Sequence, residues 1–330
     1  MRLDAARMKI NVLFAITTVF WLFAAGANAA PMAYSINSDG NPGDSLYLID
    51  LATGADQLRG KLFTGIEDRT DTEGLAFSPD PNSQLWGIDD DAGTLFPINP
   101  SNGSINFQDE IQLPPEFHTG GGNDFGMTFA CDNNLYFTSV VSQTLYRRSP
   151  AGSVAAVGAK GSLGVNISAI SAIGNPTRLY GLGNGQLSTG AIDAPNLYSI
   201  DTTTGVATLI GPLGAPGQYE YNEAGLGFDS TGVLWAITDR SQINNQKSQI
   251  LQIDVNTGSA TLVATTLNQV GYESLAVAPP AQCSAAPAPP PASGLPRIPT
   301  LNLAGSIGAI VILLLTGMSY LRKRYSKREF

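Results

Sequence analysis

The chain has 330 residues with 36 glycines, 21 prolines, one histidine and two cysteines, and its formal net charge is −9. So many turn-forming residues argue against a helical bundle. The few histidines and cysteines exclude His-rich and cysteine-rich zinc sites, and the acidic balance argues against nucleic acid as a partner. The length permits one large domain or two ordinary ones, with a sizeable core in either case.

The first segment, residues 1–29, has the three parts of a secretory signal. In chain order these parts are a basic start at Arg2, Arg7 and Lys9, an apolar run over residues 12–25, and the small-residue site Ala27-Asn28-Ala29. We predict cleavage between Ala29 and Ala30. The alternative is an uncleaved membrane anchor, for which the apolar run is short.

Residues 30–278 contain a repeated unit, in which a polar turn closed by a glycine joins two β-rich strands. The five turn glycines follow one another at spacings of 49, 49, 53 and 53 residues, and they are Gly54, Gly103, Gly152, Gly205 and Gly258. An Asp or Asn opens most of these turns, where its side chain accepts hydrogen bonds from backbone amides. The regular spacing predicts a repeat architecture.

A second unit alternates with the first and pairs a strand of small residues with a strand that begins Leu-aromatic. One example is Glu73-Gly74-Leu75-Ala76-Phe77 before Leu85-Trp86-Gly87-Ile88. Small residues suit a crowded position near a central axis. Four strands in a period of about 50 residues are typical of a β-propeller blade. A β-sandwich would not repeat one turn at near-constant spacing, and a β-helix has a much shorter period.

The all-β domain is predicted to be a propeller of five four-stranded blades. The first repeat after the signal supplies only three strands. At the other end of the domain, Glu273-Ser274-Leu275-Ala276-Val277 resembles an inner strand that has no blade of its own. Pairing this C-terminal strand with the N-terminal three completes the first blade and removes its open edge. A six-bladed ring is the alternative, with the extra blade in residues 159–200, where the repeat is least regular.

The face opposite the short turns receives loops of variable length, and such a face is usually the binding face. Acidic residues gather there, before the inner strands or in the inner hairpin turns. They are Glu73, Asp124, Glu223, Glu273, Asp89 and Asp239. Converging carboxylates suit a hard cation such as Ca²⁺. Alternatively, these acids cap turns by accepting hydrogen bonds from backbone amides.

The two cysteines, Cys131 and Cys283, each follow an inner strand. Both are therefore expected on the face of the short turns. In an oxidising compartment they are able to pair and to tie the chain end to the ring, but sequence alone leaves the geometry of this pair open.

The C-terminal part begins with a Pro/Ala-rich stretch over residues 279–297, which predicts a semi-rigid spacer. An uncharged apolar run follows over residues 303–321. As a transmembrane helix its 19 residues would span about 28 Å, enough to cross the hydrocarbon core. The basic residues Arg322, Lys323 and Arg324 come directly after it, and such a cluster stays on the cytoplasmic side.

The order of motif, apolar helix and basic tail carries a resemblance to a known family. Ile298, Pro299, Thr300 and Leu301, with the helix and the tail behind them, resemble the IPTL-type C-terminal sorting domain of Gram-negative bacteria, a relative of PEP-type signals. The resemblance covers residues 297–330. It implies a membrane protease of exosortase type as partner, processing near the motif, and delivery to the envelope or cell surface. A plain single-span anchor is the alternative, and it too leaves the body of the protein outside the cytoplasm.

These segments predict an exported, membrane-anchored or surface-sorted β-propeller that binds an unknown extracellular protein or glycan, and that is not obviously catalytic. Residues 1–29 carry a charge of +2 and residues 295–330 carry +5, which leaves −16 for the body between them. One alternative is a Ca²⁺-dependent hydrolase similar to phytase and lactonase propellers, although Arg69 and Arg240 are the only basic residues placed on the acidic face. A second alternative is a structural surface-layer component.

Overall fold

The structure is a computed structural model, and it describes residues 31–38, 43–69, 71–79, 83–117, 123–183, 185–186, 192–193, 195–278, 280 and 283. The predicted signal with its cleavage site, most of the spacer, the sorting motif, the apolar segment and the basic tail lie outside the described residues. Among the described residues, no helix has the length and apolar character needed to cross a membrane.

Five antiparallel sheets of four strands each make up the domain. The innermost strands of the sheets are β4 (Thr72–Phe77), β8 (Met127–Phe129), β12 (Ile167–Ile173), β18 (Ala224–Phe228) and β22 (Ala276–Ala278). The second strands are β1 (Met32–Ile36), β5 (Leu85–Asp89), β9 (Leu135–Ser139), β13 (Arg178–Gly183) and β19 (Leu234–Thr238). The third strands are β2 (Ser45–Asp50), β6 (Thr94–Ile98), β10 (Thr144–Arg148), β16 (Asn196–Ile200) and β20 (Gln249–Ile253). The outermost strands are β3 (Asp56–Lys61), β7 (Ile111–Gln112), β11 (Val154–Ala156), β17 (Ala207–Pro212) and β21 (Ala260–Thr265).

Short additional elements lie in the connections. A two-stranded hairpin of β14 (Gly185–Gln186) and β15 (Ile192–Asp193) is inserted between β13 and β16. Two 3-10 turns, Phe107–Asp109 and Pro115–Phe117, flank β7. We number the blades 1 to 5 by their second strands in chain order, so that blade 1 contains β1 and blade 5 contains β19.

The sheets form a ring around a central channel. Their innermost strands contact one another in a closed cycle, from β22 to β4, β8, β12, β18 and back to β22. Five hydrophobic clusters fill the five interfaces between neighbouring blades. The protein is therefore a five-bladed β-propeller, as predicted. The six-bladed alternative is wrong, because the described residues between 159 and 200 supply three strands of one blade and the small hairpin.

Blade 1 is closed by the last strand, which confirms the prediction. β22 pairs antiparallel with β1, with Ala278 opposite Met32 and Ala276 opposite Tyr34. Beyond this ladder, the amide of Ile36 donates to Ser274 Oγ at 3.1 Å. The pairing covers the edge that blade 1 would otherwise expose.

Small residues on the inner strands permit the close approach of neighbouring blades. A Cβ atom on Gly225 would lie 2.3 Å from the amide nitrogen of Leu275 in the next blade. Any side chain at this position would therefore push two inner strands apart. The predicted crowding near the axis explains the small residues of these strands.

The short turns have the predicted form and also dock onto neighbouring blades. Asp50 Oδ1 accepts a hydrogen bond from the Ala52 amide at 2.8 Å, and the Gly54 amide donates to the Asp50 carbonyl at 2.8 Å. Gly54 has a φ of +73°, and a Cβ atom there would come within 1.9 Å of the carbonyl oxygen of Thr265 in β21 of blade 5. Glycine is thus required both by the backbone conformation and by the contact between blades 1 and 5.

A comparison of Gly54→Ala with Gly161→Ala separates the cost of the backbone conformation from the cost of the lost contact between blades. Left-handed strain alone costs about 1–2 kcal/mol, and the clash with Thr265 adds to it. We expect Gly54→Ala to lower the free energy of unfolding by clearly more than Gly161→Ala. Gly161 is the matched control, because it has a φ of +80° and no atom within 4 Å of an added Cβ. Urea unfolding followed by tryptophan fluorescence measures both, and equal losses would contradict the docking of the turn.

A disulfide joins the two cysteines on the face of the short turns. Cys131 follows β8 in blade 3 and Cys283 follows β22, and their Cα atoms are 5.3 Å apart across a sequence separation of 152. The bond ties the C-terminal end of the described domain to the opposite side of the ring.

Candidate functional site

The beginnings of the inner strands surround one mouth of the channel, which we call the entrance. Glu73 lies in β4, Glu223 directly precedes β18, and Glu273 lies three residues before β22. Asp124 lies three residues before β8. In blade 4 the side chain of Ser168, in β12, lines the same cavity as Glu73 and Glu273.

Three glutamates from different blades meet at the entrance. One carboxylate oxygen from each of Glu73, Glu223 and Glu273 lies within 4.8 Å of the other two. Glu73 is 7% exposed and Glu273 is 5% exposed, so two of the three are almost completely buried. The cavity that Glu73 and Glu273 line has a volume of about 10 Å³, which is room for roughly one water-sized sphere.

Two aspartates extend this group on the side of blade 2. One oxygen from each of Asp71, Glu73 and Asp90 lies within 4.8 Å of the other two, so Glu73 belongs to both groups. Asp90 is 1% exposed. Its Oδ2 accepts a hydrogen bond from the Asn123 amide at 2.9 Å, while its Oδ1 has no hydrogen-bond partner among the described residues. We call these five residues the entrance cluster: Asp71, Glu73, Asp90, Glu223 and Glu273.

Local backbone irregularities place two members of the cluster. The register between β4 and β5 shifts at Glu73, since Thr72 pairs with Asp89 and Gly74 pairs with Ile88. Glu73 is thus the extra residue of a β-bulge, a feature that re-aims side chains. Asp71 has a φ of +67°, which is uncommon for a residue other than glycine. Its amide donates to Asp44 Oδ1 of blade 1 at 2.9 Å, which holds this turn in place.

The other predicted ligands are placed differently. Asp89 Oδ1 accepts a hydrogen bond from the Ala92 amide at 2.7 Å, and Asp239 Oδ1 accepts one from the Ser241 amide at 2.8 Å. These two residues cap hairpin turns, which is the alternative role considered from the sequence. Asp124 interacts electrostatically with Glu73 but belongs to neither group of converging oxygens among the described residues.

Burial and like charge dominate the electrostatics of the cluster. Burial raises the pKa of Glu73 and of Glu273 well above the usual glutamate range, and the charge of Glu223 raises both pKa values further. Burial also raises the pKa of Asp90 to about 7, and Asp71 adds to this effect while the hydrogen bond from Asn123 opposes it. Near neutral pH the cluster therefore requires protons or a bound cation to compensate its charge.

The two arginines predicted for this face are bound to partners outside the cluster. The Arg69 guanidinium donates to both carboxylate oxygens of Glu110, at 2.7 and 2.6 Å, and to Glu67 at 2.7 Å. Arg240 Nε donates to the carbonyl oxygen of Glu220 at 2.9 Å. Every leading influence on the pKa of Glu73 and Glu273 raises it, so the cluster is an uncompensated concentration of acidic groups.

Comparisons with known proteins find only distant structural similarity. No protein family and no curated protein sequence matches the chain. Virginiamycin B lyase from Staphylococcus aureus is similar in structure, with 17% identity, 72% of this chain and 70% of that chain covered, and a TM-score of 0.39. A gluconolactonase from Xanthomonas campestris shares 13% identity over 71% of this chain and 76% of its own, with a TM-score of 0.40. A chain of a nidogen–laminin complex shares 12% identity over 77% and 99% of the two chains, with a TM-score of 0.44. Similarity at this level assigns no function.

Asp90 of the entrance cluster and its neighbour Asp89 together predict that stability falls as pH rises. Carboxyl groups in the unfolded chain have pKa values near 4, whereas the pKa values of Asp89 and Asp90 are raised to about 7 in the folded protein. Between these values the folded state binds more protons than the unfolded state, so stability falls as pH rises. We expect the thermal midpoint, measured in EDTA, to decrease from pH 5 to pH 8.

The variant Asp90→Asn is the control for this prediction. This variant removes a carboxyl group whose pKa is raised and keeps the shape of the side chain. We therefore expect its thermal midpoint to decrease less steeply with pH. The lowered pKa values of Asp201 and Asp254, caused by backbone hydrogen bonds, act only below the usual aspartate range and leave this window unaffected. A thermal midpoint that rises between pH 5 and pH 8 would contradict the buried, uncompensated cluster.

Proposed function

We propose that this protein is an exported binding protein of the bacterial envelope, whose propeller binds an extracellular protein or glycan through its entrance face. The observation that carries the proposal is the concentration of carboxylates on one face of a rigid ring. That face also receives the connections between blades, whose lengths vary. Loops held at fixed distances by a rigid scaffold are a common basis for recognition.

The entrance-face connection between blades 1 and 2 is ordered by its own contacts. Arg69 is 7% exposed and bridges Glu67 in the same connection to Glu110 beside β7. The Thr64 amide donates to the Glu67 carbonyl at 3.0 Å and closes the turn. A surface ordered in advance loses little conformational entropy when a ligand binds, which favours a binding role for this face.

The disulfide supports export. Disulfides persist in oxidising compartments and are rare in the cytoplasm, and the two cysteines of the chain form one. The proposal includes removal of residues 1–29, handling of the IPTL-like tail by a membrane protease of exosortase type, and presentation of the domain on the Pro/Ala-rich spacer. Before processing, the C-terminal helix would anchor the chain in the inner membrane.

The export part is tested in a Gram-negative host that carries an exosortase-type protease. We expect the propeller of the full chain to be oxidised at both cysteines, measured by thiol alkylation, and to be digested by protease added to cells with a permeabilised outer membrane. Alanine substitution of Ile298, Pro299, Thr300 and Leu301 should leave the tail unprocessed. A chain without residues 1–29 is the control, with reduced cysteines and protection from protease. Reduced, protected full chain would contradict export.

The binding part is tested with outer-membrane vesicles of the same host, which carry its polysaccharide and surface proteins. Glu116 is exposed on the entrance side after β7, so Glu116→Lys should slow association by roughly 3–10-fold through lost electrostatic attraction. Ala151→Lys combined with Thr203→Lys adds the same charge in short turns of the opposite face and should have no effect. Equal slowing by both variants would contradict the assignment to the entrance face, and absence of saturable binding would contradict the binding function.

A further inference from the structure

We propose that the entrance cluster binds one Ca²⁺ ion, held by Glu73, Glu223 and Glu273, with the hydroxyl of Ser168 as a neutral oxygen ligand. The inference deepens the proposed function and rests on it for the calcium supply, since an exported domain meets the calcium of the extracytoplasmic space. Asp71 and Asp90 flank this position through the shared Glu73 and add to its negative charge.

The first support is the spacing of the three glutamate oxygens. Ca²⁺ binds oxygen at about 2.3–2.6 Å, so ligands on opposite sides of the ion are up to about 4.6–5.2 Å apart. The glutamate oxygens lie within 4.8 Å of one another and fit inside that span. Mg²⁺ demands near-ideal octahedral geometry at about 2.0–2.1 Å and usually keeps several waters, so a small site enclosed by protein oxygens suits Ca²⁺ better. The donors of the cluster are all oxygens, which disfavours zinc and softer metals.

The second support is independent of the acidic residues. Ser168 is 4% exposed and lines the cavity that Glu73 and Glu273 also line, yet its Oγ has no hydrogen-bond partner among the described residues. Glu273 Oε1 is likewise buried without a partner. Buried polar atoms are normally satisfied, and an orphaned one indicates a water or ion at that place. Ser168 Oγ of blade 4 and Glu273 Oε1 of blade 1 therefore both lack a hydrogen-bond partner among the described residues, and both residues line the same cavity.

Protons alone do not satisfy this arrangement. A carboxyl pair sharing one proton satisfies two oxygens, but it leaves Ser168 and Glu273 Oε1 without partners. A cation held by the glutamates at this cavity would provide a partner for both atoms and replace the protons that the cluster otherwise holds. Binding of Ca²⁺ should therefore release protons into the buffer.

The ion would join three blades at the place where the ring closes. Glu73 belongs to blade 2, Glu223 to blade 5, and Glu273 precedes the closing strand of blade 1. A ligand that binds only the folded ring stabilises it in proportion to the logarithm of its concentration. Calcium should therefore raise the thermal midpoint of the propeller.

The test uses the full chain in detergent micelles at pH 7.5, with CaCl₂, MgCl₂ or EDTA. We expect calorimetry to give one Ca²⁺ per chain with a Kd of about 10⁻⁵–10⁻³ M, an apparent enthalpy that changes with buffer because protons are released, and a thermal midpoint that rises with calcium more than with magnesium. Glu73→Gln and Glu273→Gln should each weaken calcium binding at least tenfold. In EDTA the same variants should have a higher thermal midpoint than the unmodified chain, because glutamine is neutral and does not have to take up a proton when it is buried.

The control is Glu116→Gln, which removes an exposed acid on the same side and should change neither quantity. An absence of saturable calcium binding, or glutamine variants that bind calcium as tightly as the unmodified chain, would overturn the site. An equal response to magnesium would overturn the assignment to calcium. The vesicle assay in EDTA with Glu116→Lys reports on the proposed binding function separately, so failure of one proposal is distinguishable from failure of the other.

Discussion

The ring closes through a pairing between its two ends, and both the entrance cluster and the disulfide depend on this pairing. The Ser35 hydroxyl donates a hydrogen bond to the Ser274 carbonyl oxygen across this closure. The two residues are 239 positions apart in sequence. Closing so long a loop costs conformational entropy that local contacts do not repay. Once Ser274 is fixed against β1, Glu273 is held at the entrance on one side. On the other side the chain leaves β22 and reaches Cys131 through Cys283.

The same closure forces like charges together. Glu273 comes to lie beside Glu223 and Glu73, and burial makes the charged forms of these residues costly. The apolar clusters between the blades oppose this cost, since each fully buried aliphatic or aromatic side chain contributes about 1.5–3 kcal/mol. The fold therefore tolerates an acidic centre that weakens it. Replacing these carboxylates by apolar residues would remove this cost, so the cluster does not contribute to the stability of the ring.

The fold was predictable because its signal is repetitive, whereas the site is set by local exceptions. Turn glycines at a regular spacing predicted five blades, and the equivalent positions before the inner strands pointed to Glu73, Glu223 and Glu273. Asp71 was missed, and Asp90 was placed in a turn of the acidic face without being chosen as a candidate ligand. A left-handed backbone conformation places Asp71 at the cluster, and a bulge places Glu73 there. Neither feature has a signature in the sequence. Asp89 was chosen in place of its neighbour Asp90, because the sequence does not show which residue of this hairpin turn has its side chain at the channel.

The disulfide determines how a pulling force would pass through the domain. β22 pairs with β1 over three residues, from Ala276 to Ala278, and a ladder this short is easily peeled from one end. Cys283 lies beyond this ladder in the direction of the spacer, and it is bonded to Cys131 in blade 3. Force applied from the spacer would therefore enter blade 3 through a covalent bond before it reaches β22. Under the proposed function, in which the spacer is a tether, the disulfide would therefore shield the closure and the position of Glu273 from tension.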